Sequence, residues 1–184
     1  MQAVMTTYVA LLRGINVAGH RQVAMAGLRA LLTHLGLSDA KSLLQSGNLV
    51  FRAEAQSGVQ LELLLEAGAG TRLGFRTDFF VRNAEEWKSV VARNPFRQAA
   101  DRDPRRLVVV FFKDSPVAGG VEALRAAFDG PEVIRAHGKH AYIVYPNGMG
   151  RSRLTTALIE KKLGTRVTAR NWNTVQKLRA LAAS

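Results

Sequence analysis

The order of predicted secondary-structure elements occurs twice along this chain, and this repetition limits the fold more than any single motif does. Apolar runs and helix signals in the first half predict the order strand, helix, two hairpin strands, helix, strand and helix. The four strands are expected at residues 8–12, 41–45, 48–52 and 75–82. After a polar stretch, the same order starts again with an apolar run at residue 107.

The second half predicts the same arrangement, with strands at residues 107–112, 132–136, 141–145 and 167–170. The order β-α-β-β-α-β is that of the split βαβ unit of ferredoxin-like folds. We therefore predict an α+β fold of two ferredoxin-like halves, each followed by an extra helix. A short echo, Val81-Arg82-Asn83 in one half and Ala169-Arg170-Asn171 in the other, supports a duplication.

The point at which the repeat restarts predicts the domain boundaries. The stretch 97–105 is polar and lacks apolar periodicity, which is typical of a linker. We expect residues 1–96 to form the first half and residues 106–184 to form a basic second half.

Five positions carry the sequence signals of a helix start. Ser57 with Gln60, and Asn83 with Glu86, have the spacing of a capping box, in which two side chains satisfy the first backbone N–H groups of a helix. Three further caps are expected at Ser115 (before Pro116), Ser152 and Asn173.

The chain is strongly basic, with 26 Lys or Arg against 14 Asp or Glu and a net charge of +12. From Asn147 onward it has eight Lys or Arg and one carboxylate, Glu160. Such a field attracts phosphate-bearing ligands, nucleotides or nucleic acid, and binding of this kind weakens as salt rises. The alternative is that the arginines are scattered over a solvated surface without a partner.

Composition also limits the setting in which the protein works. The absence of cysteine excludes a disulfide scaffold and thiol chemistry. The longest β-like apolar run, Leu107 to Phe112, is far shorter than the ~18 to 20 residues of a spanning helix. The N-terminal residues lack the pattern of a signal peptide. We expect a cytoplasmic protein that has no membrane partner and uses no cofactor or metal, while the oligomeric state is not indicated.

A glycine-punctuated turn at the start of the basic C-terminal stretch is the best candidate for an anion site. Backbone N–H groups at a helix start attract phosphate through hydrogen bonds and the helix dipole. The predicted ligand-binding residues of this turn are Asn147, Gly148, Gly150, Arg151, Ser152 and Arg153.

Several loop motifs, taken together in this order, resemble those of the domain of unknown function 1697 family of bacterial proteins. They are Arg13-Gly14-Ile15-Asn16-Val17-Ala18-Gly19-His20, Gln45-Ser46-Gly47-Asn48, Asn94-Pro95-Phe96, Pro146-Asn147-Gly148 with Ser152, and Arg170-Asn171-Trp172-Asn173-Thr174. Ala18 and Arg153 stand where the family pattern has glycine and often lysine. The resemblance implies an α+β fold of ferredoxin-like halves, no established activity and no catalytic residues.

An enzymatic alternative places a small phosphorylated substrate among the first loops. Residues 14–19 have the G-x-x-x-x-G spacing of a P-loop, but His20 and Arg21 follow instead of Lys and Ser or Thr, which excludes that chemistry. By analogy with acylphosphatases, Arg21 would hold a phosphoryl group and Asn48 would orient water. We also expect a ligand site if Arg13, Asn16, Asn48 and Arg170 converge.

Two aromatic features admit a nucleic-acid interpretation and a packing interpretation. The strand before Pro146 places His140 and Tyr142 on one face, as in RNA-recognition motifs, but the first two positions of that motif differ. Packing is favoured for these residues because aromatic side chains lie mostly in protein cores. Trp172 is a candidate for stacking on a ligand, although packing against the core is commoner for such a residue. A third hypothesis, a protein-interaction scaffold, predicts neither anion binding nor turnover.

Overall fold

The computed structural model describes residues 3–15 and 22–184, and contacts within it divide the chain into two units. Unit 1 comprises residues 1–92 and 177–184, and unit 2 comprises residues 93–176. The division therefore falls within the last helix, which starts in unit 2 and ends in unit 1.

Among residues 3–15 and 22–92, unit 1 contains four strands and three helices. The elements are β1 (Met5–Leu12), α1 (Met25–His34), β2 (Ser38–Leu43), β3 (Asn48–Glu54), α2 (Gly58–Gly68) with a π-helical continuation (Ala69–Leu73), β4 (Phe79–Asn83) and α3 (Ala84–Ala92). The sheet is antiparallel in the order β2-β3-β1-β4.

Unit 2 repeats this plan after one short helix. Its elements are α4 (Arg97–Arg102), β5 (Leu107–Phe112), α5 (Gly120–Ala126), β6 (Val133–His137), β7 (His140–Val144), a 3-10 turn (Met149–Arg151), α6 (Thr156–Leu163), β8 (Val167–Asn171) and α7 (Trp172–Ala183). The sheet order β6-β7-β5-β8 is the order of unit 1 repeated. The predicted α+β fold of two ferredoxin-like halves is confirmed.

Each unit buries alternate residues of its strands against its own helices. In unit 1, Ala10 and Leu12 of β1 pack with Leu61 and Leu65 of α2. In unit 2, Val110 and Phe112 of β5 belong to the corresponding cluster with Leu124, Ile159 and Leu163. Full burial of one such side chain contributes roughly 1.5–3 kcal/mol, so each unit has its own core.

The two predicted capping boxes are confirmed. The side chains of Ser57 and Gln60 bond each other's backbone N–H groups, and so do those of Asn83 and Glu86. The other three predicted caps are wrong.

Two of the three wrong caps, those at Ser115 and Asn173, have a local reason. Near Ser115 the helix begins only at Gly120, because Gly119 takes a left-handed φ of 74°. Near Asn173 the strand continues to Asn171, whose Oδ1 accepts the Thr174 N–H, so α7 begins at Trp172. Ser152 is described with the site below.

The predicted linker 97–105 is not a featureless connection. Residues 97–102 form α4, which lies within unit 2. This helix has no buried residues, which is why its sequence lacks an apolar stripe.

The outer edge of the unit 2 sheet carries two arginine contacts. β6 is an edge strand, and the carbonyl of Ile134 accepts hydrogen bonds from Arg125 at 3.2 Å and from Arg135 at 3.1 Å. Both arginines are exposed, so their guanidinium groups occupy the solvent side of that strand.

Candidate functional site

The predicted anion turn follows β7 and is held at both ends by one buried residue. The Gly148 N–H donates to the Tyr145 carbonyl at 3.0 Å, and the Tyr145 hydroxyl donates to the Leu154 carbonyl at 3.2 Å. Gly148 has a φ of 83°, which favours glycine at this position. Between these anchors Arg151 and Arg153 are exposed to solvent, as the sequence predicts.

The predicted cap at Ser152 is wrong. Its hydroxyl donates to Glu132 and accepts the Leu154 N–H, and the cap of α6 is Thr155, which accepts the Leu158 N–H at 3.2 Å. Three residues of non-helical chain thus separate Arg151 from the helix cap. The arginines of the turn and the start of α6 are separate features, so the helix dipole does not support an anion at Gly148 or Gly150.

A groove of about 870 Å³ lies next to this turn within unit 2. Val133 and Val144, a cross-strand pair of β6 and β7, line it from the sheet. The other lining residues are Asn94, Pro95, Phe96, Arg97, Gln98, Ala99, Arg102, Arg106 and Pro146. The groove joins an apolar surface to three guanidinium groups, and through Pro146 it reaches the anion turn.

The Asn94-Pro95-Phe96 motif builds one wall of this groove. The buried Asn94 accepts the Phe96 N–H through its side-chain oxygen at 2.9 Å, which is an Asx-turn. The Phe96 carbonyl then accepts the Ala100 N–H as the first bond of α4. The motif therefore has a structural role, and its result is a half-buried phenyl ring beside the arginines of α4.

The arginines of unit 2 differ in how far they are neutralised. Arg106 lies 3.1 Å from Asp103 and also donates to the Pro146 carbonyl. Arg97 and Arg102 are exposed, and within the described ranges 3–15 and 22–184 neither forms an ion pair. The same holds there for Arg151 and Arg153. Four cations are thus available to a ligand.

The first-unit motifs meet at one end of the sheet of unit 1. The Leu12 N–H donates to the Gly47 carbonyl at 2.9 Å, and the Arg13 N–H donates to Asp78 at 3.1 Å. Gly47 has a φ of 75°, and a Cβ there would lie 2.8 Å from that of Leu12, so only glycine fits. The Arg13 and Gln45–Asn48 loops are neighbours, as a shared site requires.

Asn48 itself is fully buried, and its amide donates to the Leu43 carbonyl at 2.9 Å and to the Ser46 hydroxyl at 3.0 Å. These bonds fix the hairpin turn. Asn16 and Arg21 lie outside the described residues, so convergence of Arg13, Asn16, Asn48 and Arg170 stays a hypothesis and the phosphatase-like alternative stays a prediction. Turnover of acetyl phosphate that survives an Arg21→Ala, Asn48→Ala double substitution would remove that alternative.

Arg170 and Trp172 belong to the end of β8 and the start of α7. Arg170 is half-buried and donates to Thr168 at 2.8 Å and to the Ala169 carbonyl at 2.9 Å, and burial lowers its pKa to about 10. Trp172 is buried. For Trp172 burial favours the packing interpretation, whereas a ligand-binding role of Arg170 stays a prediction.

The stacking platform that β7 resembles is not exposed. Tyr142 is 1% exposed and His140 is 8% exposed, and their side chains lie 3.1 Å apart between Nε2 and the hydroxyl. Burial raises the pKa of Tyr142 to about 12, although the charge of Arg93 partly lowers it. The packing interpretation of these two residues is therefore confirmed.

Neither a metal-ligand cluster nor a membrane span is found among residues 3–15 and 22–184. No cluster of three His, Cys, Asp or Glu that would hold a metal ion occurs there. Within the same part of the chain, no helix has the length and apolar character needed to cross a bilayer.

Sequence reasoning missed the groove residues of α4. The signal was present, because Arg97, Arg102 and Arg106 recur within a short stretch directly after the Asn94-Pro95-Phe96 motif. The polar composition of residues 97–105 favoured the prediction of a linker there. The groove lining shows that this stretch flanks the apolar surface of Val133 and Val144, which pair across β6 and β7.

Comparison with known proteins gives a family but no activity. A conserved bacterial protein of Streptococcus pneumoniae is 26% identical, with a TM-score of 0.76 over 97% of this chain and 99% of its own. A putative chlorite dismutase, 9% identical over 96% of this chain and 98% of its own, has a TM-score of 0.29 and carries no argument. No curated protein matches the sequence.

The profile of one family matches residues 5–142, which is most of the chain. Its description is "Protein of unknown function (DUF1697)", and the protein belongs to this family.

Proposed function

We propose that this protein is an anion-binding module whose unit 2 groove binds nucleotides or nucleic acid. The observation that carries the proposal is the pairing of an apolar surface with exposed arginines in one groove. A free phosphate ion would bind the guanidinium groups and make no favourable contact with the apolar surface. A purely apolar ligand would contact that surface and leave the guanidinium groups unbound. A nucleotide has both an aromatic ring and a phosphate.

The contacts assign a role to each side of the groove. Phe96 and the Val133–Val144 pair offer apolar surface to a base, and stacking of a base on an aromatic ring contributes about 1–3 kcal/mol. Arg97 and Arg102 offer planar, bidentate donors that suit phosphate oxygens. The volume of about 870 Å³ lies within the range of small-molecule sites. A cytoplasmic location, where nucleotides occur, fits this proposal.

The test is equilibrium binding of adenosine monophosphate and of inorganic phosphate at low salt, followed by titration with salt. We expect the nucleotide to bind more tightly than phosphate, with an affinity that falls as salt rises. Phe96→Ala should weaken binding of the nucleotide only, and Arg97→Glu with Arg102→Glu should weaken binding of both.

A matched control is Arg72→Glu with Arg179→Glu, two exposed arginines of unit 1 that lie outside the groove lining. If this control weakens binding as much as the groove variant, general charge explains the affinity and the groove does not. If neither nucleotides nor longer polyanions bind at low salt, the proposal fails and the scaffold hypothesis gains.

A further inference from the structure

We infer that the ligand of this groove is a single strand of nucleic acid, which runs from the groove onto the turn that contains Arg151 and Arg153. This inference rests on the proposed function. A lone nucleotide would use the groove alone.

The groove and the turn are structurally continuous. Pro146 lines the groove, and its carbonyl accepts a hydrogen bond from Arg106, another lining residue. The chain then passes directly into the 3-10 turn, Met149–Arg151. Because the buried Tyr145 bonds Gly148 on one side and Leu154 on the other, the turn is held in a defined position beside the groove.

Charge is arranged along this path in two pairs. Arg97 and Arg102 of α4 lie in the groove, and Arg151 and Arg153 lie on the turn. The stretch 146–153 has no acidic residue. The carboxylate of Glu132, which contacts this stretch, accepts a hydrogen bond from Ser152. Two pairs of cations on different elements suit a ligand with repeated phosphates better than one with a single phosphate group.

The apolar lining selects a single strand over a duplex. Stacking on Phe96 and contact with the valine pair require that a base presents its face, and in a duplex that face is covered by neighbouring bases. Grooves that bind single strands combine such aromatic contacts with cations along the backbone. The groove and the turn together have this composition.

The experiment compares thymidine monophosphate with thymidine oligomers from a dinucleotide to a dodecamer, by fluorescence competition at low salt. We expect affinity to rise with length until the oligomer covers both pairs of arginines. Arg151→Glu with Arg153→Glu should weaken binding of the dodecamer on the order of tenfold or more and leave the affinity for the mononucleotide unchanged. Arg97→Glu with Arg102→Glu should weaken both ligands.

The salt dependence gives a second measure. Each phosphate contact of a single strand contributes about 0.7 to the slope of log K against log salt, so removal of two contacts should reduce the slope by about 1.4. The milder Arg151→Ala with Arg153→Ala should change the slope in the same direction. The unit 1 control, Arg72→Glu with Arg179→Glu, should not.

Three results would overturn the inference and leave the proposed function intact. The first is equal affinity for the mononucleotide and the dodecamer. The second is an equal loss of affinity for both ligands in Arg151→Glu with Arg153→Glu. The third is tighter binding of a duplex than of the single strand. A protein that binds neither the mononucleotide nor the dodecamer would contradict the proposed function as well.

Discussion

The two units share a sheet order but differ in the burial and ion pairing of their arginines. In unit 1, Arg82 of β4 is buried and lies 3.7 Å from the buried carboxylate of Glu62. Burial lowers the pKa of Arg82, and the charges of Glu62 and Glu86 partly restore it. In unit 2, the equivalent strand residue is Arg170, which is half-buried and donates to Thr168 and Ala169.

The helix that packs beside each strand shows where the difference arises. Glu66 accepts the Phe79 N–H in unit 1, and Glu160 accepts the Val167 N–H at the same place in unit 2. One helical turn earlier, Glu62 in unit 1 corresponds to Thr156 in unit 2. Both units thus have a carboxylate at the position that supports the strand, whereas at the position of Glu62, which pairs with Arg82, unit 2 has a threonine.

Composition follows the same division. Unit 1 has 11 Lys or Arg and 7 Asp or Glu, whereas unit 2 has 15 and 7 over a shorter stretch of chain. The excess in unit 2 includes the exposed arginines of the groove and the turn. The comparison indicates that an internal ion pair supports the fold of unit 1, whereas four exposed arginines of unit 2, Arg97, Arg102, Arg151 and Arg153, are available for binding.

The largest expected effect is that of Glu62→Ala. It removes the buried carboxylate that pairs with the buried Arg82 and the acceptor of the Val81 N–H, so we expect a loss of about 3–5 kcal/mol in the free energy of unfolding. Urea unfolding measures the loss, and hydrogen exchange in α2 and β4 locates it. Thr156→Ala in unit 2 is the matched control and should cost less than about 1 kcal/mol. Equal losses would contradict the comparison.

The second prediction uses the titratable pair of β7. Register places His140 and Tyr142 where unit 1 has Asn48 and Val50. Since burial raises the pKa of Tyr142 from 10 to about 12, the unfolded state loses the proton first, and stability falls as pH rises between these values. The loss is on the order of 2 to 3 kcal/mol.

Unfolding measured as a function of pH in the wild type and in Tyr142→Phe tests this prediction. The substitution should remove this part of the alkaline loss. An unchanged pH profile would show that Tyr142 titrates normally in the fold.

The third prediction concerns Asn48, for which its hydrogen bonds indicate a structural role and the analogy with acylphosphatases suggests a catalytic one. Asn48→Ala removes both amide donors from a buried turn and should cost about 2 kcal/mol of unfolding free energy. Asn147→Ala, in the exposed turn of unit 2, should change stability by no more than about 0.5 kcal/mol. A stable Asn48→Ala protein would exclude the structural role.

The smallest effect is expected at the two helix caps. Asn83→Ala and Asn171→Ala each remove one side-chain cap and should cost about 1 kcal/mol. Asn83 is also part of a capping box with Glu86, so its loss should exceed that of Asn171 by a few tenths of a kcal/mol. The reverse order in thermal unfolding would mean that the box contributes nothing.

Much of the fold was predictable because the signals are local. The apolar run Leu107–Phe112 matches β5 at both ends, and the boxes at Ser57 and Asn83 need only their own neighbours. The wrong cap at Ser152 depends on competition with a distant group. Ser152 bonds Glu132, twenty residues away, and no local pattern shows that.

The candidate site was only half predictable for the same reason. Arg151 and Arg153 follow from charge and glycine placement in one turn. The groove requires α4, the Val133–Val144 pair and Pro146 to meet, and this depends on strand register. Sequence spacing carries no information about that meeting.

The arginine contacts on β6 have a consequence for how copies of this protein behave at high concentration. An open strand edge is a template on which a foreign strand can add, and such additions lead to fibrils. A strand that adds at β6 would have to displace Arg125 and Arg135 from the Ile134 carbonyl. Two positive charges would then lie beside its own backbone. Basic side chains at this margin thus oppose self-assembly through the sheet.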